Sequence, residues 1–359
     1  MKKYNVGIVG ATGTVGQRFI LLLKNHPWFN ISVLAASERS SGKKYKDAVK
    51  GRWSMEVSIP KFVKDMNVLD AVADINKISN EVDFIFCAVN MNKKLVKDLE
   101  EAYVKAECPV ISNNSANRFT FDVPMVIPEI NPEHIQIIEA QKRRFNTKRG
   151  FIAVKSNCSL QCYVPVLHPL KIFGLEKVLI STYQAISGAG QTFSSWPEMR
   201  DNIIPYIPRE ESKSELEPLK IWGRIFEDRI INSQTPIITS QCIRVPVSDG
   251  HMTTVFASFK EKISIDKIKS IWKNFQGIPQ KIFLPSAPKK FLNYFDDPKR
   301  PQIALDKDLE DGMAISIGRL REDALFDIKF VCMTHNTIRG AAGGSVLMAE
   351  LLCAYGYFD

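Results

Sequence analysis

The segment "YNVGIVGATGTVGQRFILLLKNHP" near the start of the chain restricts the fold most strongly. Small and apolar residues alternate at first, glycines follow at positions 10, 13 and 16, and apolar residues then recur at helical spacing. Glycines let the backbone turn sharply and approach a pyrophosphate, which rests on the positive end of the next helix. Strand, turn and helix together predict a dinucleotide site rather than an empty tight turn, although the glycine spacing alone is weak evidence.

Apolar runs predict two differently built parts of the chain. The strand-like segments "ISVLAAS", "VDFIFCAV" and "PVISNNS" alternate with helical segments, which implies a parallel, doubly wound sheet. After Gly150 the strands are longer, as in "KVLISTYQAIS" and "HMTTVFASFK", with helical links such as "SIDKIKSIWKNF". We predict an α/β fold: an N-terminal Rossmann-type sheet over residues 1–157, completed by a C-terminal helix over 336–359, and a second, α+β domain over 158–335.

Length and composition agree with two domains. The chain has 359 residues, which is long for one core and short for three. Hydrophobic residues make up 45% and charged residues 24%, so a disordered or fibrous protein is excluded. No cationic and apolar leader precedes the first strand, and apolar runs such as "FIFCAV" are far shorter than the roughly 18 residues of a membrane helix. We therefore expect a cytoplasmic protein with no membrane partner.

The charge and cysteine patterns exclude several kinds of site. Lysine and arginine number 48 against 39 aspartates and glutamates, and the net +9 favours anionic partners only weakly. The densest basic run, Gln141 to Gly150, lacks the interleaved aromatic residues of a base-stacking surface. It predicts a solvated loop or helix end and no nucleic-acid partner. Seven cysteines without paired metal spacing indicate a reducing compartment, with neither disulfides nor a metal site.

The end of the second strand predicts the cofactor. It reads Ser37-Glu38-Arg39-Ser40, where an NAD enzyme presents an acidic residue to the ribose 2′-hydroxyl. Glu38 is available for that role, but a guanidinium between two hydroxyls suits a 2′-phosphate. We therefore favour NADP, with a solvated loop that touches no cofactor as the alternative.

A cysteine at the predicted domain junction, in "SNCSLQC", is the candidate nucleophile. Most cysteines are inert buried thiols, and Cys158 in isolation would be interpreted in that way. Its position at the junction is where catalytic groups meet a bound nicotinamide. A helix beginning there would point its N-terminal amides at the sulfur and lower the thiol pKa. Cys162, one turn further on, is predicted to be a core residue.

The candidate base is His251, which follows Asp249-Gly250 at a tight turn and opens a strand. The alternative is a strand-end histidine with satisfied hydrogen bonds. Arg244 lies on the preceding predicted strand and would reach the same site, where it would hold a carboxylate in a fork. An ordinary salt bridge explains Arg244 equally well.

Eight segments match one family in their order along the chain. They are "GATGTVGQRF", "AASERSSGKKYKDAVK", "ISNNSANRFTFDVPMVIPEIN", "SNCS", "QAISGAG", "DNIIPYI", "IRVPVSDGH" and "NTIRGAAGG". The chain resembles the aspartate-β-semialdehyde dehydrogenases, in particular their archaeal and fungal branch, from about residue 4 to 357. The resemblance implies NADPH-dependent reductive dephosphorylation of β-aspartyl phosphate to aspartate β-semialdehyde, in lysine, threonine and methionine biosynthesis. It also implies a homodimer or homotetramer assembled through the second, catalytic domain.

The resemblance also implies the roles of individual residues. Cys158 would form the thioester and His251 would be the acid and base, with Gln184 orienting the acyl group. The implied substrate contacts are Arg244 and Glu210 for the amino-acid end, and Lys213, Arg118 and Asn157 for the phosphate. The expected cofactor contacts are Gly10, Thr12, Gly13, Thr14, Val15, Ser37, Arg39, Ser40, Ser187, Gly188 and Asn336.

Other functions remain open at this point. An acyl-CoA reductase, such as the malonyl-CoA reductase that resembles this family, would share the thioester and NADPH but need no phosphate pocket. An N-acetylglutamyl-phosphate reductase is a further enzyme with a similar plan. A silent NADP-binding regulator would keep the glycine loop and lose the nucleophile or the base, whereas Cys158 and His251 are both present.

Overall fold

Two six-stranded sheets organise the chain in the computed structural model, which describes residues 3–359. The first sheet is parallel throughout, in the order β3-β2-β1-β4-β5-β6. Its strands are β1 (Tyr4–Val9), β2 (Phe29–Ala36), β3 (Val68–Asp70), β4 (Phe84–Cys87), β5 (Val110–Ser112) and β6 (Ile152–Val154). The predicted doubly wound sheet is thereby confirmed.

Helices connect these parallel strands. They are α1 (Thr14–Leu22), α2 (Tyr45–Ala48), α3 (Lys61–Lys64), α4 (Ile75–Glu81), α5 (Lys93–Lys105) and α6 (Ile138–Phe145), with 3-10 turns at Glu38–Ser40 and Pro132–Ile137. The central strand β1 pairs with β2 on one side and with β4 on the other, so the strand order reverses there. In such sheets ligands bind outside the carboxyl ends of the strands at the point of reversal. The glycine segment begins where β1 ends.

The second sheet is mixed, in the order β10-β7-β11-β14-β13-β12. Residues alternate between buried and partly exposed along the neighbouring strands β7 and β11, as expected when one face is covered by the core. Its strands are β7 (Leu175–Gln184), β10 (Ile237–Arg244), β11 (His251–Phe259), β12 (Leu292–Phe295), β13 (Ile315–Glu322) and β14 (Ile328–Thr334), while β8 (Arg224–Phe226) and β9 (Arg229–Ile231) form a separate hairpin. The second part of the chain is thus α+β, as predicted.

The helices of this part are α7 (Leu160–Leu167), α8 (Glu210–Ile221), α9 (Ile265–Asn274), α10 (Ile278–Lys281), α11 (Ile303–Asp306) and α12 (Gly343–Ala354). Short 3-10 turns lie at His168–Phe173, Ile186–Ala189 and Pro197–Met199, and a π-helical turn, Ile338–Ala342, leads into α12. Helix α12 is buried along most of its length and packs with α1 and β5 in the core of the first sheet. The predicted boundary after residue 157 falls in the link between β6 and α7 and stays a prediction.

The basic run ends a helix. Lys142, Arg143 and Arg144 occupy the last turn of α6 and pair with Glu139, Asp228 and Asp122. Within residues 3–359, no helix combines the length and the apolar character needed to cross a membrane. All seven cysteines are free thiols.

Candidate active site

The glycine loop after β1 leaves no room for side chains at two positions. Gly10 has φ +95°, and a Cβ there would lie 2.5 Å from the carbonyl oxygen of Ala88. A Cβ on Gly16 would lie 2.3 Å from the carbonyl oxygen of Gly10. Tyr45 Oη donates to the carbonyl of Ala11 at 2.9 Å and fixes the outer side of the loop. The resulting bare backbone next to the start of α1 fits a pyrophosphate.

A cavity of about 660 Å³ adjoins this loop. Of the predicted cofactor contacts, its wall contains Gly10, Thr12, Gly13, Ser37 and Arg39. Ser40 is buried and lies outside this wall, and Thr14 is the first residue of α1. The wall also contains Glu38, Arg52, Asn90 and the segment from Asp70 to Ala73. Its position beside β2 and β3 makes it the adenosine side of a dinucleotide site.

Cys158 lies between the end of β6 and the beginning of α7. Helix α7 begins at Leu160 with Ser159 as its N-cap, so Cys158 lies immediately before the N-cap and outside the helix. Asn157 Oδ1 accepts hydrogen bonds from Ser159 N at 2.8 Å and from Ser159 Oγ at 2.6 Å. These bonds shape the turn that carries the sulfur.

The sulfur of Cys158 lies 3.4 Å from Nε2 of His251, the first residue of β11. Gly250, at φ +102°, turns the chain into that strand, and the amide of Ala185 donates to His251 Nδ1 at 3.1 Å. The contact orients the ring so that Nε2 faces the thiol. The structure therefore joins the predicted nucleophile and base.

Burial controls the protonation of both groups. Burial, reinforced by the positive charge of Arg244, lowers the pKa of His251 to about 3. Burial and then Glu210 raise the pKa of the Cys158 thiol, against opposing effects of Lys155, Lys213 and Arg118. Desolvation therefore outweighs the lowering of the thiol pKa that was expected from a helix start.

Glu210, the first residue of α8, connects three predicted site residues. Its carboxylate accepts from Asn157 Nδ2 at 2.8 Å, Gln184 Nε2 at 3.3 Å and Lys213 Nζ at 2.8 Å. Burial alone would raise the pKa of Glu210, but Lys213 and the two amides lower it overall. A carboxylate is thus held charged inside the site.

Arg244 ends β10 and is 5% exposed. Its Nη1 donates to the carbonyl of Ala185 at 2.6 Å, so one backbone segment contacts both Arg244 and His251. A Cβ on Gly188 would lie 2.8 Å from Arg244 Nη1 and 3.1 Å from His251 Nε2. Gly188 therefore has to stay without a side chain for these groups to share the site.

A second cavity, of about 290 Å³, contains the sulfur. Among the predicted residues its wall holds Val15, Arg118, Asn157, Cys158, Ser187, Gly188, Lys213 and Asn336. Asn336 donates to Ser187 Oγ at 2.9 Å and accepts from Gly250 N at 2.7 Å, which ties the chain before α12 to the site. Since the glycine segment reaches both cavities, through Gly13 and Val15, a dinucleotide can extend from the first cavity to Cys158.

Three residues at the site have no recognisable sequence signal. Glu217 pairs with Arg118, Lys155 is buried just before Cys158, and Arg52 lines the nucleotide cavity. Tertiary packing brings each of these residues to the site, and none belongs to a sequence motif. Within residues 3–359, no group of three or more histidine, cysteine, aspartate or glutamate side chains is arranged to hold a metal ion.

A Rossmann-type glycine loop beside a partly buried cysteine–histidine pair defines the class: a nicotinamide-dependent dehydrogenase that works through a thiol. Family models agree in detail. The semialdehyde dehydrogenase NAD-binding domain matches residues 5–138, and the semialdehyde dehydrogenase dimerisation domain matches residues 165–339.

Individual relatives extend this match over nearly the whole chain. The aspartate-semialdehyde dehydrogenase of Methanothermobacter thermautotrophicus is 41% identical over 355 residues, 97% of this chain and 98% of the relative. That of Aspergillus fumigatus is 39% identical over 364 residues, 99% and 98% of the two chains. The crystal structure of aspartate semialdehyde dehydrogenase with NADP from Candida albicans superimposes with a TM-score of 0.89 at 37% identity, covering 99% of this chain and 100% of that one. The chain belongs to the aspartate-semialdehyde dehydrogenase family.

Proposed function

We propose that this protein reduces L-β-aspartyl phosphate to L-aspartate β-semialdehyde with NADPH and releases phosphate, in a reversible reaction through a thioester on Cys158. The observation that carries the proposal is the 3.4 Å contact between Cys158 Sγ and His251 Nε2. Cys158 lies in the wall of a cavity that two cationic side chains, Arg118 and Lys213, also line. The family to which the chain belongs supports the same substrate.

The nucleotide cavity fits NADP. The bare backbone at Gly10 and Gly16 accommodates a pyrophosphate, and Ser37 and Arg39 lie at the edge where a 2′-phosphate would be held. When bound, the cofactor supplies the hydride. Val15, Gly188 and Asn336 line the cavity of Cys158 and are proposed to position the reacting end of the cofactor next to the sulfur.

The protein's own groups carry the remaining chemistry. Cys158 Sγ attacks the acyl carbon, a carbon–sulfur bond forms, and the bond to the phosphate oxygen breaks. His251 Nε2 is placed to move the thiol proton and, after reduction, the hydroxyl proton of the thiohemiacetal, whose collapse releases aldehyde and thiolate. Gln184, held by Glu210, is proposed to orient the acyl oxygen.

Fixed charges in the site match both ends of the substrate. Arg244 is proposed to bind the α-carboxylate, and the Glu210 carboxylate to bind the ammonium group. Lys213, Arg118 and Asn157 line the cavity of Cys158 and are proposed to bind the phosphate. Several fixed donors are needed there because a phosphate dianion has to be neutralised in a site that contains little water.

Nicotinamide absorbance tests the proposal. Aspartate semialdehyde with phosphate and NADP⁺ is expected to produce NADPH, and malonyl-CoA with NADPH is expected to be inert. Cys158→Ser should abolish turnover and still bind NADPH, whereas Cys353→Ser, at the end of α12, should behave as wild type. If only malonyl-CoA is turned over, the substrate is an acyl-CoA and not an acyl phosphate. An active Cys158→Ser variant would exclude the thioester.

We also propose a homodimer or homotetramer in the cytoplasm. The match to a dimerisation domain over residues 165–339 supports assembly, and the seven free thiols support a reducing compartment. Light scattering after gel filtration distinguishes two from four copies, and a monomer at micromolar concentration would contradict the proposal.

A further inference from the structure

Arg339 lies in the π-helical turn before α12, and its side chain is inaccessible to solvent. Nη1 and Nη2 donate to the two carboxylate oxygens of Glu129 at 2.7 and 2.6 Å, and Nε donates to Gln161 Oε1 at 2.9 Å. Cζ lies 4.7 Å from the centroid of the Phe291 ring. A planar guanidinium group that is held at all three nitrogens has one defined orientation.

Gln161, the second residue of α7, connects Arg339 with the turn that carries the sulfur. Its Nε2 donates to Ser156 Oγ at 2.8 Å, and its amide donates to the carbonyl of Cys158 at 3.2 Å. Gln161 and Ser156 are 2% and 1% exposed, so bulk water does not replace their hydrogen bond when it is lost. A chain of hydrogen bonds therefore runs from Arg339 to Ser156, two residues before the nucleophile.

The residue after Arg339 packs directly against the nucleophile. A Cβ on Gly340 would lie 2.9 Å from Cys158 Cβ and 3.4 Å from Cys158 Cα. The amide of Gly340 donates to the carbonyl of His335 at 3.0 Å, a spacing of five residues that is typical of π-helical turns. Since no space separates Gly340 from Cys158, any displacement of the turn that Arg339 fixes would displace the nucleophile.

A separate set of hydrogen bonds connects the nucleophile's turn to α8. The amide of Asn157 donates to Glu217 Oε2 at 2.7 Å, and Asn157 Nδ2 donates to Glu210 Oε1 at 2.8 Å. These bonds fix Asn157, whereas the side chain of Ser156 bonds to the chain that begins at Arg339. The 3.4 Å contact between the nucleophile and the base therefore depends on both sets.

We propose that Arg339 is a positioning residue for the nucleophile. Its guanidinium group fixes the turn before α7 through Gln161 and holds the π-helical turn against Cys158. Cys158 is the nucleophile of the proposed function, on which this role of Arg339 rests. Arg339 itself lies outside the walls of both cavities. A change at Arg339 should therefore slow the chemical steps and leave the affinity for NADPH nearly unchanged.

The first test is the kinetics of Arg339→Lys. Lysine keeps a positive charge opposite Glu129 and removes the Nε donor to Gln161. We expect kcat to fall about tenfold, because small displacements of reacting groups slow the chemistry, and the KM for NADPH to stay within about twofold of wild type. An ion pair that only stabilises the fold would instead lower the unfolding free energy and leave kcat at the wild-type value, which would overturn the proposal.

Arg300→Lys is the matched control. Arg300 also donates to one carboxylate, that of Asp306, through two nitrogens, and it lies outside the walls of both cavities. The substitution weakens a similar ion pair without touching the turn that carries the sulfur. It should lower the unfolding free energy and keep the wild-type kcat. An equal fall of kcat in both variants would overturn the proposal, because a general loss of stability would then explain it.

Gln161→Met provides a second route that keeps the ion pair between Arg339 and Glu129, and it covers failure of Arg339→Lys to fold. It removes both side-chain hydrogen bonds of Gln161 and should also lower kcat about tenfold. The double variant should lose no more than either single variant, because both act through the same chain. A wild-type kcat in Gln161→Met, or a loss of about 100-fold in the double variant, would overturn the proposal.

Hydrogen exchange, followed by mass spectrometry without substrate or cofactor, makes the test independent of the reaction. The peptide covering residues 156–162 should exchange faster in Arg339→Lys than in wild type, and at the wild-type rate in Arg300→Lys. Wild-type exchange of this peptide in Arg339→Lys would overturn the proposal. Because no aspartyl phosphate is used, a different substrate would change the activity assay of the proposed function and leave the exchange result standing.

Discussion

Glu217 holds Arg118 in the active site: Oε1 of the carboxylate accepts from Arg118 Nη1 at 2.8 Å, and both side chains are nearly inaccessible to solvent. The other oxygen of Glu217 accepts from the amide of Asn157 at 2.7 Å, one residue before the nucleophile. One carboxylate on α8 thus positions both a proposed phosphate-binding cation and the segment that carries Cys158.

Glu217→Gln should destabilise the protein and weaken phosphate binding, because Arg118 would become a buried charge without a counter-ion. Breaking a buried ion pair in this way costs about 3 kcal/mol of unfolding free energy. Glu139→Gln removes the partner of Lys142, where the glutamate is 59% exposed, and should cost less than about 1 kcal/mol. Urea denaturation and the KM for phosphate measure the two effects. Equal unfolding free energies of the two variants would show that the ion pair between Arg118 and Glu217 does not stabilise the protein.

Arg39→Ala should reduce the preference for NADPH over NADH. Arg39 lies on the wall of the nucleotide cavity beside Ser37, where a 2′-phosphate would be bound. Loss of one exposed charge-assisted contact should raise the KM for NADPH about tenfold and leave that for NADH unchanged. Lys97→Ala, on the exposed side of α5, serves as the charge control. A parallel rise for both cofactors would place Arg39 away from the 2′-position.

Local patterns were sufficient to predict the first sheet, the glycine loop and the cysteine–histidine pair. The alternation before Gly10 and the turn at Gly250 each depend on a few neighbouring residues. The first strand, the glycine loop and the base His251 could therefore be predicted from sequence. The pairing of Arg118 with Glu217 joins residues 99 positions apart, and no local pattern encodes it. For the same reason the prediction of a lowered pKa for the Cys158 thiol was wrong. A helix beginning near Cys158 is a local feature, whereas the burial that raises the pKa comes from the whole fold.

Gly340→Ala should impair the chemical step more than cofactor binding. Gly340 belongs to the π-helical turn before α12, and a Cβ there would lie 2.9 Å from Cys158 Cβ. The nucleophile would have to move, and small displacements of reacting groups lower kcat by about 100-fold. Ser345→Ala, nearby in α12, adds no atom and removes a hydroxyl that has no hydrogen-bond partner within residues 3–359. Stopped-flow kinetics of the reduction measure the chemical step, and titration with NADPH measures cofactor binding. A wild-type kcat in Gly340→Ala would contradict tight packing behind the sulfur.

Stability should fall as the pH drops from about 6.5 to about 4, and His168 should account for part of the loss. Burial, with a smaller effect of Lys171, lowers the pKa of His168 to about 4, and its Nδ1 has no hydrogen-bond partner within residues 3–359. An unfolded histidine has a pKa of about 6.5. Between these values the unfolded chain binds a proton at His168 that the folded chain excludes. The contribution of His168 to the unfolding free energy therefore rises with pH across this window and is constant above it.

The contribution of His168 to this loss is at most about 3 kcal/mol. His168→Gln should therefore show a smaller difference in unfolding free energy between pH 7 and pH 4.5 than wild type, measured by urea denaturation with unchanged m-values. His251 and His335, whose pKa values burial lowers to about 3 and about 4, remain in both proteins and keep part of the slope. A variant with the wild-type slope would mean that His168 is protonated in the folded protein, and burial would then not control its charge.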